Sequence, residues 1–303
     1  MTLHATPTTH HASLLAFAHQ LADAAGAVIR PCFGAHGVVD AKADNSPVTE
    51  ADRAAERVMR QMIHQQFPSH SIYGEEFGTT QMPQGQEAEP TVSRDSALHG
   101  ERRSPRRQPF YTWLLDPIDG TRAFIAGKKE WGTLIALCED GIPIIGILDQ
   151  PVTGERWSGV RGEATLYTCH SRTSGNPDIK EAMDARSGTH EHLKKASLST
   201  TSTSYFTPGE RLAFTRLKAE CGEFSENGDC YAYGLLARGI RDIVVDTGLK
   251  PFDILALVTI IESSGGVITG WDGAPVTLAN YRNVVAARTP DLHRQARQLL
   301  QGT

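Results

Sequence analysis

Apolar residues recur at helical spacing over residues 13–30, where Leu14, Leu15, Ala18, Leu21, Ala25, Val28 and Ile29 share one stripe that Pro31 and Gly34 close. A second helix is predicted from Thr49-Glu50-Ala51-Asp52, a capping-box pattern ahead of Ala54, Ala55, Val58, Met59, Met62 and Ile63, with Pro68 ending it. The period then shortens. Residues 71–73 (Ser-Ile-Tyr) and 111–115 (Tyr-Thr-Trp-Leu-Leu) read as buried strands, and each runs straight into carboxylates. Residues 131–138 and 142–148 are apolar runs on either side of Glu139-Asp140-Gly141, the pattern of an antiparallel hairpin, and Arg156-Trp157 opens a further strand. Beyond them the text predicts a strand at 196–200, a helix after Pro208, a helix near Asp229–Ala237 and a strand at 243–245. A helix from Pro251, strands at 267–268 and 284–286, and a final helix complete the chain.

This alternation predicts a layered α/β fold in which the hairpin excludes an all-parallel sheet. The expected organisation is one unit over 1–303, with an N-terminal part to about 195 and a C-terminal part over 196–303. Two polar stretches, 78–109 and 171–192, are expected to be inserted loops. The first gathers Arg102, Arg103, Arg106 and Arg107, which fits either a contact with an anionic partner or a solvated loop.

Composition narrows the function classes. At 303 residues the chain is long enough for a large core, and a formal net charge of -5 argues against sequence-independent nucleic-acid binding. Its five cysteines form no C-x-x-C pair, which suggests neither a disulfide framework nor a zinc site, and a reducing cytoplasm is the expected location. No apolar run approaches the roughly 20 residues of a membrane span, and the polar start lacks the blocks of a secretory signal. His4, His10 and His11 read as a solvated arm, with metal binding as the alternative.

The candidate chemistry sits where strands end. Asp116-Pro117-Ile118-Asp119-Gly120-Thr121 places two carboxylates, a glycine and a hydroxyl in what reads as a loop after a buried strand. A hard divalent cation would relieve the repulsion between Asp116 and Asp119, and the N–H groups of Gly120 and Thr121 would suit phosphate oxygens. An Asx-type turn joining strand to helix is the other reading. Gly74-Glu75-Glu76 follows its strand in the same manner, as a metal-sharing pair or an acidic turn. Asp253, after Lys250-Pro251-Phe252, serves either the first turn of a helix or the same cluster, and Asp52 either caps its helix or supports the ligands from behind.

Taken together, Gly74-Glu75-Glu76, Trp113-Leu114-Leu115-Asp116-Pro117-Ile118-Asp119-Gly120-Thr121 and Pro251-Phe252-Asp253 with Gly265-Gly266 resemble the inositol-monophosphatase family over roughly residues 13–300. Within it the chain looks most like the histidinol-phosphate phosphatase branch, through Phe124-Ile125-Ala126-Gly127, residues 131–137, Glu155-Arg156-Trp157, residues 198–201 and Gly228-Asp229-Cys230-Tyr231-Ala232-Tyr233. Lys128-Lys129-Glu130 and the long insert depart from that pattern. The resemblance implies an αβαβα sandwich, a homodimer, and hydrolysis of a small phosphate monoester by water activated on magnesium. It implies that Glu75, Asp116 and the carbonyl of Ile118 hold one ion and that Asp116, Asp119 and Asp253 hold a second. Glu75 would share a weaker third through water, supported by Glu76 and Asp52. Glu75 and Thr121 would orient the attacking water, and Gly120 and Thr121 would offer N–H groups to the phosphate. The implied substrate-binding set comprises Asp119, Gly120, Thr121, Gly228, Asp229, Cys230, Asp246 and Asp253. Asp229 and Asp246 suit the amine and imidazole of histidinol phosphate, and equally the hydroxyls of inositol 1-phosphate; as structure alone they would be a helix cap and a strand end. A sugar or nucleotide monoester phosphatase, and a non-catalytic binder of metal and phosphate esters, are the remaining alternatives.

Overall fold

The computed structural model describes residues 9–34, 39–41, 47–80, 109–169, 179–188 and 190–302. His4, the arginines at 102–107 and the side chain of Thr49 lie outside what it describes. The first helix, α1 (Thr9–Ile29), passes through a short 3-10 turn at Arg30–Cys32, where Pro31 forbids further helix. A short hairpin of β1 (Val39–Ala41) and β2 (Pro47–Thr49) leads into α2 (Glu50–Gln66). Both helices bury one stripe: Leu14, Ala18, Leu21 and Ile29 from α1, and Ala55, Met59 and Ile63 from α2. By length and composition α1 would also suffice to cross a membrane, contrary to the sequence expectation; in the fold its apolar stripe is covered by α2 and the sheet.

Next come β3 (Ser71–Gly74), β4 (Gly78–Thr80), β5 (Tyr111–Asp119), the short helix α3 (Thr121–Ile125), β6 (Gly132–Glu139), β7 (Ile142–Gln150), β8 (Glu155–Val160), β9 (Leu166–Cys169) and β10 (Ile179–Ala182). Among the described residues they form an eight-stranded sheet in the order β10-β9-β8-β7-β6-β5-β3-β4, antiparallel except for the β3–β5 pair. Asp140 (φ 48°) and Gly141 (φ 80°) supply the two left-handed residues that a tight β6–β7 turn needs. Both faces of β5 are buried, Trp113 and Leu115 toward α1 and α2 and Leu114 toward the opposite layer, which is why it reads as a continuous apolar run.

Two loop expectations change here. The 171–192 stretch is not simply an insert: Ile179–Ala182 adds an edge strand to β9, and Ala185 after it is buried, its N–H donating to the Ser264 carbonyl at 2.9 Å. The 78–109 stretch begins as β4, and residues 81–108 lie outside the described residues.

The C-terminal part contains β11 (Ser197–Thr200), α4 (Pro208–Glu220), β12 (Glu223–Glu226), α5 (Asp229–Ala237), β13 (Ile243–Asp246), α6 (Pro251–Ser263), β14 (Val267–Gly270), β15 (Val284–Ala287) and α7 (Pro290–Gln301). Its five-stranded sheet has the order β12-β11-β13-β15-β14, with β11 parallel to both β12 and β13. The layers follow as α1/α2, the large sheet, α5/α6, the smaller sheet and α4/α7, an αβαβα sandwich. The central helix α6 buries every residue from Ile254 to Ile261, as a helix covered on all sides must. Gly146 and Gly159 let it lie close to the sheet, because a methyl group at either position would overlap backbone of residues 256–260.

Gly146→Ala should therefore destabilise the protein by about 2 kcal/mol or more, the scale of core overpacking. A denaturant midpoint equal to wild type would show that α6 does not depend on this close approach.

Candidate active site

The parallel strands end at one edge of the fold, and so does the chemistry: β3 runs into Glu75, β5 ends on Asp119, and β11, β12 and β13 end near Thr201, Asp229 and Asp246. The Asp116-Pro117-Ile118-Asp119 segment, expected as a loop, is instead the bulged end of β5. Asp116 pairs with Leu134 and Asp119 with Gly132, with a register shift between them. The bulge is held by the Ile118 N–H donating to Asp116 Oδ1 at 3.1 Å and by Thr133 Oγ1 donating to the Pro117 carbonyl at 2.7 Å. Gly120 (φ 89°) then turns the chain into α3. A Cβ there would lie 2.9 Å from the Glu130 carbonyl oxygen and 3.0 Å from the Trp131 Cβ, so only glycine fits. Trp131 is wedged edge-on against Phe124 at 5.0 Å, which anchors α3.

The bulge and the start of α6 bring one carboxylate oxygen each of Asp116, Asp119 and Asp253 within 4.8 Å of one another. Asp116 is 2% exposed, and its carboxyl is pushed well above the ordinary range by burial first and then by the charges of Glu75, Asp119 and Asp253. Glu75 hydrogen-bonds Asp116 side chain to side chain. Two carboxyl groups share such a bond only when one carries a proton, and a cation offsets the same repulsion. Asp119 is pushed up to about 7 by burial and by Asp253, against the stabilising Cys230 N–H, which donates to Asp119 Oδ2 at 2.7 Å. Asp253 Oδ2 accepts the Lys250 N–H at 2.8 Å, so this residue both caps α6 and joins the cluster. Oxygen-only donors crowded in this way fit a hard divalent cation. The Ile118 carbonyl accepts from Thr121 Oγ1 at 3.0 Å and keeps a second lone pair.

Behind Glu75 stands a residue that the sequence reading overlooked. Glu56, fully buried on α2, accepts the N–H of Glu76 at 2.7 Å and that of Phe77 at 3.3 Å, and takes Arg60 Nε at 2.6 Å. Arg60 in turn reaches Thr80 Oγ1 at 2.8 Å, so the pair clamps the whole turn that carries Glu75. Gly74 has no Cβ because Glu56 occupies that space. The available signal was a charged residue one helical turn from Asp52 on the stripe that buries Ala55 and Met59; Asp52 is itself fully buried there.

On the other side of the cluster, Asn227 (φ 64°) and Asp229 (φ 38°) hold left-handed conformations rare outside glycine, at the corner between β12 and α5. Asp229 is half-buried, and its carboxyl is raised to about 8 by burial, Asp119 and Asp246, with Arg122 opposing. Gly228 lies between them, where a Cβ would meet that of Ala232 at 2.7 Å. The N–H of Cys230, expected among the substrate contacts, is already given to Asp119. Asp246 is 3% exposed and engaged by Thr200, Thr201 and Tyr233. Two buried tyrosine–carboxylate bonds grip α5: Tyr233 to Asp246, and Tyr231 to Glu155 Oε2 at 2.8 Å.

A family model described as the inositol monophosphatase family matches residues 10–302. The chain is 40% identical over 293 residues to the bifunctional phosphatase IMPL2, chloroplastic, of Arabidopsis thaliana, covering 94% of this chain and 74% of that protein. It is 32% identical over 267 residues to the histidinol-phosphatase of Mycobacterium tuberculosis, covering 88% and 89% respectively. Its structure is similar to that of an inositol monophosphatase from Zymomonas mobilis, with a TM-score of 0.75 and 37% identity over 97% of this chain and 100% of that one. A carboxylate cluster suited to a cation, on a chain matched almost end to end, shows that the protein belongs to the inositol monophosphatase family of metal-dependent phosphatases.

Proposed function

We propose that the protein hydrolyses histidinol phosphate to histidinol and phosphate with magnesium as its cofactor. The observation that carries the substrate is Asp229, an acid at a left-handed corner beside the carboxylate cluster; burial and the neighbouring acids raise its carboxyl to about 8, and a cationic group on the substrate would favour its ionised form. Support for the substrate also comes from similarity to histidinol-phosphatases at about one-third identity. Inositol 1-phosphate is the second reading, favoured by the Zymomonas mobilis structure.

Glu75, Asp116, Asp119, Asp253 and the Ile118 carbonyl would hold the magnesium. Magnesium, when bound, lowers the pKa of water from about 15.7 toward neutrality and offsets phosphate charge. Thr121 Oγ1 donates its own proton to the Ile118 carbonyl, so its lone pairs are left to accept a hydrogen bond from the attacking water. Glu75, fixed from behind by Glu56, is the second group that orients this water. The first N–H groups of α3 have no intrahelical acceptor and suit the phosphate oxygens. A new bond from water oxygen to phosphorus forms as the bond to the alcohol oxygen breaks, and the alcohol leaves with a proton from solvent.

Phosphate release from histidinol phosphate should exceed that from inositol 1-phosphate in side-by-side assays with magnesium; the reverse order would transfer the reading to an inositol phosphatase. Asp116→Asn should lower kcat/KM at least about a thousandfold, the equivalent of several kcal/mol of lost charge stabilisation. The variant should stay folded, because it removes a buried repulsion. Retained turnover would count against Asp116 as a metal ligand.

The same charges set a pH dependence. Carboxyls whose folded pKa is raised bind protons more tightly in the native state, so the stability they contribute falls as pH rises from about 4 through about 7 for Asp119 and about 8 for Asp229. Metal-free protein should melt lower at pH 8 than at pH 6, and magnesium should raise the melting temperature more at pH 8. Equal magnesium shifts at both values would contradict this linkage.

A further inference from the structure

Glu155 opens β8 and is buried, and its carboxylate is directed at the helix α5 rather than at the carboxylate cluster. Oε2 accepts Thr153 Oγ1 and the Tyr231 hydroxyl, each at 2.8 Å, and Oε1 accepts the Tyr167 hydroxyl at 2.8 Å. The Arg238 guanidinium lies 3.8 Å from Oε1 and also covers the Tyr167 ring, 4.2 Å from its centroid. Two of these partners belong to one helix. Tyr231 is in the first turn of α5 and Arg238 is its C-cap, about two turns further on and so on the same face. One carboxylate therefore ties both ends of α5 to the large sheet. Between the ties the packing is close: a Cβ at Gly234 would lie 2.9 Å from Trp157 Cε2, and Trp157 meets the Tyr231 ring edge-on at 5.6 Å.

The first turn of this helix rests against Asp119. The Cys230 N–H, next in the chain to Tyr231, donates to Asp119 Oδ2 at 2.7 Å. Gly132, the strand partner of Asp119, lies under the Cys230 sulfur, where a Cβ would approach it to 3.2 Å. A shift of α5 therefore changes the bond that orients Asp119.

We infer that Glu155 is a positioning residue for Asp119: through Tyr231 and Arg238 it fixes α5, and through the Cys230 N–H the helix fixes the carboxylate. This rests on the reading of Asp119 as a ligand of magnesium. Groups that hold a metal ligand in one orientation commonly account for about ten- to a hundredfold in metal affinity. Glu155 stands behind such a group, so its effect falls at the lower end of that range.

The test uses two measurements on wild-type protein, Tyr231→Phe, Glu155→Gln and Asp119→Asn. Calorimetry follows magnesium binding with no substrate present, and amide hydrogen exchange follows residues 228–233 in the metal-free protein. Tyr231→Phe removes one hydroxyl from a buried ring; it should weaken magnesium binding about tenfold and speed exchange over 228–233. Glu155→Gln, which replaces one acceptor oxygen by an amide donor, should act in the same direction. Turnover of p-nitrophenyl phosphate by both variants should fall at limiting magnesium and return to within about threefold of wild type when magnesium is saturating, as mass action requires. A purely structural role for Glu155 would lower the melting temperature and leave magnesium affinity unchanged, and that result overturns the inference. Exchange over 228–233 at the wild-type rate in both variants overturns it equally. Should Glu155→Gln fail to fold, Tyr231→Phe decides alone. Asp119→Asn that binds magnesium as wild type does would remove Asp119 from the ligands instead, and the exchange measurement would still decide whether Glu155 holds the first turn of α5.

Discussion

Repulsion among Glu75, Asp116, Asp119 and Asp253 is the constraint around which the neighbouring structure is arranged. Two unit charges about 4 Å apart near a protein surface repel by about 4 kcal/mol, and here several such pairs share one place. Each carboxylate is nevertheless held by local hydrogen bonding: Asp116 by the Ile118 N–H, Asp119 by the Cys230 N–H, and Asp253 by the Lys250 N–H. The turn that carries Glu75 is held by Glu56 and by its own N–H donating to the Leu115 carbonyl at 3.0 Å. None can swing away without losing those bonds, so charge must be offset by protons or by a cation. Local stability is given up to keep a site ready for a metal.

What supports this concentration of charge is rigidity on every side. The bulge of β5 lies between a packed indole at Trp131 and the Thr133 hydroxyl, while α6 brings Asp253 in on a helix buried on all faces. Glu56 is an unusual support, a buried acid used to hold backbone N–H groups, with Arg60 compensating its charge. Buried ionic groups of this kind need full hydrogen bonding, and Glu56 has it from two backbone donors and one guanidinium. In the C-terminal sheet Asp246 is likewise buried and accepts Thr200, Thr201 and Tyr233. Glu56 and Asp246 are thus both buried acids that accept a backbone N–H from a neighbouring turn.

Much of the fold was legible because the main elements have strong periods and clear punctuation. The helices α1, α2, α4, α6 and α7 and the β6–β7 hairpin fall close to the positions expected from apolar spacing, proline and turn residues. Short edge strands were not legible. Ile179–Ala182 is exposed throughout and Glu223–Glu226 is only partly covered, so neither carries an alternating apolar pattern; each exists because a neighbouring strand offers its ladder. The D-P-I-D segment read as a loop because proline and paired aspartates usually interrupt strands. Pairing with β6 across a bulge overrides that preference.

The sequence by itself determined the layered class, the cluster of Asp116 and Asp119 at a strand end, and a family resemblance that brought in Glu75 and Asp253. These are matters of spacing and residue chemistry, which a linear text records. Only the tertiary structure decided what each carboxylate faces. Asp253, Asp246 and Glu56 look alike in the chain, yet one joins the carboxylate cluster, one takes up Thr200, Thr201 and Tyr233, and one holds the turn after β3. The difference lies in which donors the folded chain brings within about 3 Å of each oxygen: Asp253 takes one from 3 residues away, whereas Glu56 and Asp246 take theirs from as far as 21 and 46 residues away.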